Sequence, residues 1–282
     1  MTWVDPPVTA VRAVVRRALA EDLGPLGDLT ASLLPDDATA RADFVARRAG
    51  VVAGRLCVIE TFAAVDRAVA VTWQAADGIE VHPGQVVATV EGRLASILTA
   101  ERTALNLLGR LSGVATLTRA YVRAAQGKAR IRDTRKTTPG LRALEKAAVR
   151  AGGGANHRGS LSDAILIKDN HLALLPVGDA LARARHRWPG QVVEVECDTL
   201  EQVTEAVEAG ADMVLVDNMT PTEVATAVEV VAGRCPVEVS GGVTLDTVAA
   251  YVAAGAAFIS VGALTHSAPV LDIGLDVRVQ GS

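Results

Sequence analysis

In the stretch Ala164-Ile165-Leu166-Ile167-Lys168-Asp169-Asn170-His171 a branched apolar run ends abruptly in a cation, an anion, an amide and an imidazole. An apolar run of this kind predicts a strand buried on both faces, with the polar cluster placed where the strand leaves the sheet. The pattern recurs downstream. Gln191-Val192-Val193-Glu194-Val195 runs into Glu196, Met213-Val214-Leu215-Val216 into Asp217-Asn218, Val237-Glu238-Val239 into Ser240-Gly241-Gly242, and Phe258-Ile259-Ser260-Val261 into Gly262. A single Asp or Asn after a strand reads as the start of a turn. Five polar strand ends in succession read as one shared site.

A second constellation lies upstream. Ala129-Arg130-Ile131 reads as a short strand and is followed by Arg132-Asp133-Thr134-Arg135-Lys136-Thr137-Thr138-Pro139-Gly140. A helical stretch from Leu141 to Ala151 then leads into Gly152-Gly153-Gly154-Ala155-Asn156-His157-Arg158. If the strand belongs to the same sheet, Arg135, Lys136, His157, Arg158 and Lys168 gather on one side of it. That is a concentration of positive charge in a chain of net charge -4, and it suits a small polyanion such as a phosphate or a dicarboxylate. Of 28 Lys plus Arg only Lys128, Lys136, Lys146 and Lys168 are lysines. Where arginine is the default surface cation, a lysine points to a need for a compact point charge on a flexible stem. The triple glycine has neither the Gly-Lys-Ser/Thr ending of a P-loop nor the context of a dinucleotide fingerprint, and reads as a close-packed or flexible loop.

Ser240-Gly241-Gly242 and Val261-Gly262-Ala263 follow the last two apolar runs, with His266 close behind. Glycine turns after strands bare backbone N–H groups at helix starts, which is how barrels of this type cradle phosphate. Simple tight turns are the competing explanation.

The elements that position these groups alternate. Helical periodicity covers Val177 to Trp188, Leu200 to Ala209, Pro221 to Ala232 and Thr244 to Ala254. Thr199, Thr220 and Thr244 are candidate N-caps, Pro221 takes a first helical position, and Gly210, Gly233 and Gly255 follow the last turns. Repeated strand-loop-helix units predict a parallel α/β sheet with right-handed crossovers, closed or nearly closed into a barrel whose strand C-termini form the active face.

With 282 residues, 50% of them hydrophobic, the chain can bury a large core in one or two domains. The acidic balance argues against a nucleic-acid surface. No apolar run is long enough to cross a bilayer, and Met1-Thr2-Trp3-Val4-Asp5-Pro6-Pro7 offers neither a basic nor an apolar leader region, so no membrane association and a cytoplasmic location are expected. Cys57, Cys197 and Cys235 are odd in number and widely spaced, which fits neither a disulfide framework nor a zinc site and predicts small buried residues.

In order and spacing, several motifs resemble the quinolinate phosphoribosyltransferase family, whose members are also called carboxylating nicotinate-nucleotide pyrophosphorylases. They are Thr134-Arg135-Lys136-Thr-x-Pro-Gly, Gly152-Gly-Gly-x-Asn156-His157-Arg158, Lys168-Asp169-Asn170-His171, Glu194-Val-Glu196, Asp217-Asn218, Ser240-Gly241-Gly242 and Val261-Gly262-Ala263-Leu-Thr-His266. The likeness extends to Glu21-Asp22-Leu23-Gly24, Gly27-Asp28-Leu29-Thr30, Gly50-Val51-Val52-Ala53-Gly54, and Glu101-Arg102-Thr103-Ala104-Leu105-Asn106 with Ser112-Gly113-Val114-Ala115-Thr116.

The resemblance implies the type II phosphoribosyltransferase fold: an N-terminal α/β sandwich over residues 1–110, joined by the tail 269–282, and an incomplete (β/α) barrel over residues 111–268. It implies transfer of the phosphoribosyl group of phosphoribosyl pyrophosphate to quinolinate with decarboxylation, a step of de novo NAD synthesis, with Mg2+ as cofactor. It implies that Arg102, Thr134, Arg135, His157, Arg158 and Lys168 surround quinolinate. Lys136, Glu196 and Asp217 would serve phosphoribosyl pyrophosphate, with Mg2+ held by Glu196 and Asp217, directly or through water. Ser240, Gly241, Gly242, Val261, Gly262, Ala263 and His266 would hold its 5′-phosphate. Lys136, Lys168, Glu196 and Asp217 are the implied catalytic set. The implied assembly is a homodimer in which Arg102 reaches the neighbouring subunit's site, or a hexamer of such dimers.

The stretch from Asp77 to Gly92 alternates around Pro83-Gly84 like the β-hairpin of biotinyl carriers, yet no lysine precedes Lys128, so the likeness is structural only. Three other readings stay open: a phosphoribosyltransferase for nicotinate or another heterocyclic acid, a phosphate-binding epimerase or thiamine-phosphate synthase, and a non-catalytic ligand-binding protein. A binding protein would have no need of Arg102, Glu196 and Asp217 together.

Overall fold

The computed structural model describes residues 5–279. Residues 1–4, part of the leader reading, and residues 280–282, the end of the expected tail, lie outside the described residues. The elements in chain order are α1 (Val8–Leu23), β1 (Thr39–Ala46), β2 (Gly50–Val51), α2 (Arg55–Val65), β3 (Ala70–Trp73), β4 (Glu80–Val81), β5 (Val86–Arg93) and α3 (Leu94–Ala125). They continue with β6 (Arg130–Arg132), α4 (Arg142–Ala151), β7 (Ile165–Ile167), α5 (Asp169–Leu172), α6 (Val177–Arg187), β8 (Val193–Cys197), α7 (Leu200–Glu208) and β9 (Met213–Asp217). The last are α8 (Pro221–Val231), β10 (Val237–Ser240), α9 (Val248–Ala253), β11 (Phe258–Ser260), α10 (Ala263–His266) and β12 (Ile273–Val279).

Two compact units emerge. Among the described residues one comprises 5–119, 137–153 and 264–279, the other Ala120–Lys136 and Gly154–Ala263. In the first, an antiparallel sheet of order β12-β1-β5-β3 has one face filled by apolar side chains. Alternation places Ala40, Ala42 and Phe44 of β1 on that face, where Phe44 meets Phe62 of α2 edge to face at a centroid distance of 6.2 Å. The C-terminal strand β12 pairs with β1 antiparallel, from Ala40 opposite Val279 to Ala46 opposite Ile273. The segment around Pro83-Gly84 is not the expected hairpin: β4 pairs with β2, and β5 pairs with β1 and β3.

Within this unit Glu145 of α4 is fully buried. Arg110 of α3 donates to it from Nε at 3.2 Å and Nη2 at 2.8 Å, and Thr138 donates from its backbone N at 3.0 Å and Oγ1 at 2.8 Å. Arg110 also reaches the carbonyls of Thr265 and Ala268. A buried carboxylate is tolerated only when so compensated. Gly152, first of the triple glycine, is close-packed, since a Cβ there would lie 2.5 Å from the Ala115 carbonyl oxygen.

The second unit is a six-stranded parallel sheet of order β6-β11-β10-β9-β8-β7. This order runs cyclically through the chain and leaves a seam between β6 and β7, so the barrel is incomplete, as expected. Arg132 at the end of β6 makes a parallel bridge with Ala155. The helices start largely as read: Thr199 and Thr220 close capping boxes with Gln202 and Glu223, and Pro221 stands at the first turn. Two expectations need correction. β7 is an edge strand, so Ile165 and Leu166 are half-buried rather than covered on both faces. Thr244 does not cap α9. Its N–H donates to Thr247 Oγ1 at 2.9 Å in a turn, and the helix begins at Val248.

Cys57 and Cys197 are buried and Cys235 is half-buried, all with free thiols. Burial pushes both Cys57 and Cys197 up to about 12, which keeps them inert as protonated thiols. Among the described residues no helix is long and apolar enough to cross a membrane.

Candidate active site

The C-terminal ends of the second unit's strands carry the charged groups. Residues two apart on a strand share a face, so Glu194 and Glu196 of β8 project together, as do Glu238 and Ser240 of β10. Lys168 follows β7, and its Nζ donates to Glu196 Oε2 of the neighbouring strand. Its backbone N–H donates to His171 Nδ1 at 3.0 Å, closing the start of α5 beneath it. Asp217 ends β9, opposite Ser240 in the ladder, and accepts from Asn218 Nδ2 at 2.7 Å.

Asn218 adopts a left-handed conformation with φ 57° and donates its backbone N–H to the Ser240 carbonyl at 2.9 Å. The two glycines after Ser240 are required by space as well as by backbone. Gly241 has φ +90°, and a Cβ on it would lie 2.2 Å from Asn218 Oδ1; Gly242 has φ +60°. The last strand is tied to the first where Val261 N–H donates to the Arg132 carbonyl at 2.9 Å, which carries Gly262 and Ala263 to the same end.

The cations come from the loops after β6 and after α4. Thr134 Oγ1 accepts the Lys136 N–H at 3.0 Å and so shapes the loop that presents half-buried Arg135 and exposed Lys136. Asp133, fully buried, anchors the second loop: Oδ2 accepts Asn156 Nδ2 at 2.5 Å and Oδ1 accepts the His157 N–H at 2.9 Å. Arg158 follows, its Nη1 donating to the Ala164 carbonyl at 3.3 Å. Burial first, and then the nearby Arg135 guanidinium, lowers the pKa of Arg158, while Glu194, Glu196 and Asp163 oppose the shift. The Arg135 guanidinium is thus close enough to Arg158 to disfavour its charged form.

Thus the second unit gathers Thr134, Arg135, Lys136, His157, Arg158, Lys168, Glu196, Asp217, Ser240, Gly241, Gly242, Val261, Gly262 and Ala263. Arg102 and His266 belong to the first unit. Arg102 is exposed on α3, and His266 Nδ1 lies 2.6 Å from Ser267 Oγ.

The sequence reading did not single out the layer below. Glu238 is fully buried, bonded by Arg132 Nη1 and Ser260 Oγ. Glu194 is buried too, and His157 Nε2 lies 3.1 Å from its Oε2 and 3.6 Å from Glu238 Oε1. Burial, and next the Glu194 charge, raises the pKa of Glu238 against the pull of Arg132, His157 and Ser260. A glutamate inside an otherwise apolar strand was the available signal for both residues.

A parallel barrel whose strand ends hold a guanidinium pair, two lysines, two carboxylates on adjacent strands and glycine turns is a phosphate-handling barrel enzyme. Comparison with known proteins is specific. Family profiles described as quinolinate phosphoribosyl transferase, N-terminal domain and C-terminal domain, match residues 28–112 and 114–276. A probable nicotinate-nucleotide pyrophosphorylase (carboxylating) of Bacillus subtilis is 42% identical over 272 residues, covering 95% of this chain and 94% of that protein. The nicotinate-nucleotide pyrophosphorylase (carboxylating) of Mycobacterium leprae is 44% identical over 277 residues, covering 95% and 97%. The solved structure of the Francisella tularensis nicotinate-nucleotide pyrophosphorylase superposes with a TM-score of 0.93 at 37% identity, covering 97% of this chain and 98% of that one. The chain belongs to the quinolinate phosphoribosyl transferase family.

Proposed function

We propose that the chain transfers the phosphoribosyl group of phosphoribosyl pyrophosphate to quinolinate, yielding nicotinate mononucleotide, carbon dioxide and pyrophosphate in de novo NAD synthesis. The observation that carries the substrate choice is the closeness of the Arg135 guanidinium to Arg158, whose pKa burial and then Arg135 lower, with Lys168 just after the edge strand of the same barrel. Three cations around a small pyridine ask for two carboxylates. With quinolinate bound, Lys168 exchanges the Glu196 carboxylate for one from the substrate, and Thr134 and Arg102 complete the site.

The chemistry then needs position and charge. The pyridine nitrogen forms a bond to the anomeric carbon as the bond to pyrophosphate breaks, and the leaving oxygen takes the electron pair, with Lys136 beside it. The positive ring nitrogen stabilises the electron pair left on the neighbouring ring carbon when its carboxylate departs as carbon dioxide, and that pair then takes a proton from water. Ser240, the glycine turns Gly241-Gly242 and Val261-Gly262-Ala263, and His266 hold the 5′-phosphate. Glu196 and Asp217 are hard oxygen donors at neighbouring strand ends, few in number and partly exposed, which fits Mg2+, a cation that keeps several waters. When bound, Mg2+ neutralises pyrophosphate, and the two carboxylates fix the ribose hydroxyls. We place the enzyme in the cytoplasm as a homodimer with shared sites, or a hexamer of such dimers.

Carbon dioxide release from carboxyl-labelled quinolinate is expected only with phosphoribosyl pyrophosphate and Mg2+ present. Nicotinate is expected to react very poorly, because loss of one carboxylate leaves a cation unpaired at about 1 to 3 kcal/mol or more. Comparable turnover of both acids rules the assignment out.

A further inference from the structure

The imidazole of His157 is built into the barrel at both of its nitrogens. Nδ1 accepts the backbone N–H of Arg158 at 2.7 Å, and a ring nitrogen that accepts carries no proton. The ring proton therefore sits on Nε2, which lies 3.1 Å from Glu194 Oε2 and 3.6 Å from Glu238 Oε1. The imidazole is largely buried, and the peptide before it is clamped, since its own N–H and the Asn156 amide both bind Asp133. An imidazolium would set an Nδ1 proton against the Arg158 N–H, donor against donor. Both nitrogens of the ring already face protein groups. What the ring does hold is the Arg158 peptide, and hence the start of the side chain that shares the cationic site with Arg135.

We infer that His157 is a positioning residue for Arg158, held as the neutral Nε2–H tautomer between the Arg158 N–H and the Glu194 and Glu238 carboxylates, and that it lends quinolinate no charge of its own. This deepens the quinolinate site proposed above and rests on that reading for the role of Arg158. The buried layer beneath is consistent with it. Glu238 is bonded by the Arg132 guanidinium and the Ser260 hydroxyl, and Glu194 faces His157 Nε2.

The test uses the full chain labelled with 15N-histidine, whose five histidines leave one signal set to be assigned by its loss in His157→Gln. One protonated and one bare ring nitrogen in the Nε2–H pattern, unchanged at saturating quinolinate, is the expected result. A doubly protonated His157 ring appearing with quinolinate overturns the inference. Kinetics give the second readout. In His157→Asn the side-chain oxygen stands near the place of Nδ1 and still accepts the Arg158 N–H, so KM for quinolinate should rise by no more than about threefold to tenfold. Arg158→Ala should raise it on the order of a hundredfold or more. Equal losses in the two variants would make the ring a substrate cation and sink the proposal. If the wild-type protein failed to turn over quinolinate, the transferase reading would fall while the NMR outcome still decided the tautomer.

Discussion

At the scale of single residues the two site lysines separate cleanly. Lys168 is placed by an edge strand and bonded to Glu196, whereas Lys136 is exposed on the loop after β6. Lys136→Ala is expected to raise KM for phosphoribosyl pyrophosphate most, and Lys168→Ala to impair quinolinate binding and turnover. Initial rates with each substrate varied in turn measure the split. Arginine at either position should also lower activity, since a planar fork is larger than an ammonium and aims its protons differently; full activity in both Lys→Arg variants would refute the point-charge argument. The polar residues at strand ends were legible in the sequence because an abrupt change from apolar to charged is a local signal. Asp133 and the buried glutamates were not, because their partners lie far away in sequence: Asp133 acts on Asn156 and His157, and Glu238 on Arg132.

At the scale of elements, caps and turns were readable where one side chain decides them, as with the boxes of Thr199 and Thr220. They failed where a competing bond exists, as in the Thr244 to Thr247 turn, and where a strand's exposure depends on its order in the sheet, as for β7. Gly241 makes an element-scale test. Alanine there must bear a left-handed backbone, costing about 1 to 2 kcal/mol, and its Cβ would stand 2.2 Å from Asn218 Oδ1. Gly241→Ala is expected to displace the turn after β10 and weaken use of phosphoribosyl pyrophosphate, while leaving quinolinate binding within about threefold of wild type. Binding isotherms for each substrate, taken separately on a folded variant, would expose the error if phosphoribosyl pyrophosphate bound undisturbed.

At the scale of the whole molecule, the two units draw on interleaved stretches of chain, and α4 and β12 belong to the first unit although the barrel precedes β12 in sequence. Such exchange is set by long-range pairing, β12 on β1 above all, which no local pattern announces. The proposed shared site has a stoichiometric consequence. Arg102→Ala and Lys168→Ala should each be nearly inactive, yet a mixed dimer contains one undamaged site beside one doubly damaged site. Equal mixtures with subunit exchange should restore roughly a quarter of wild-type sites, and failure to do so with exchange demonstrated would return Arg102 to its own subunit or to the surface. The scarcity of lysine bears on more than catalysis. Lys146 is buried in α4 and Lys128 is exposed, so among the described residues the chain's accessible side-chain amines are Lys128, Lys136 and half-exposed Lys168. An acylating reagent applied sparingly to the native protein should thus act as an affinity label without having been designed as one. Peptide mapping should find the side-chain adducts on Lys128, Lys136 and Lys168, with quinolinate shielding Lys168, phosphoribosyl pyrophosphate shielding Lys136, and Lys128 labelled alike with or without either.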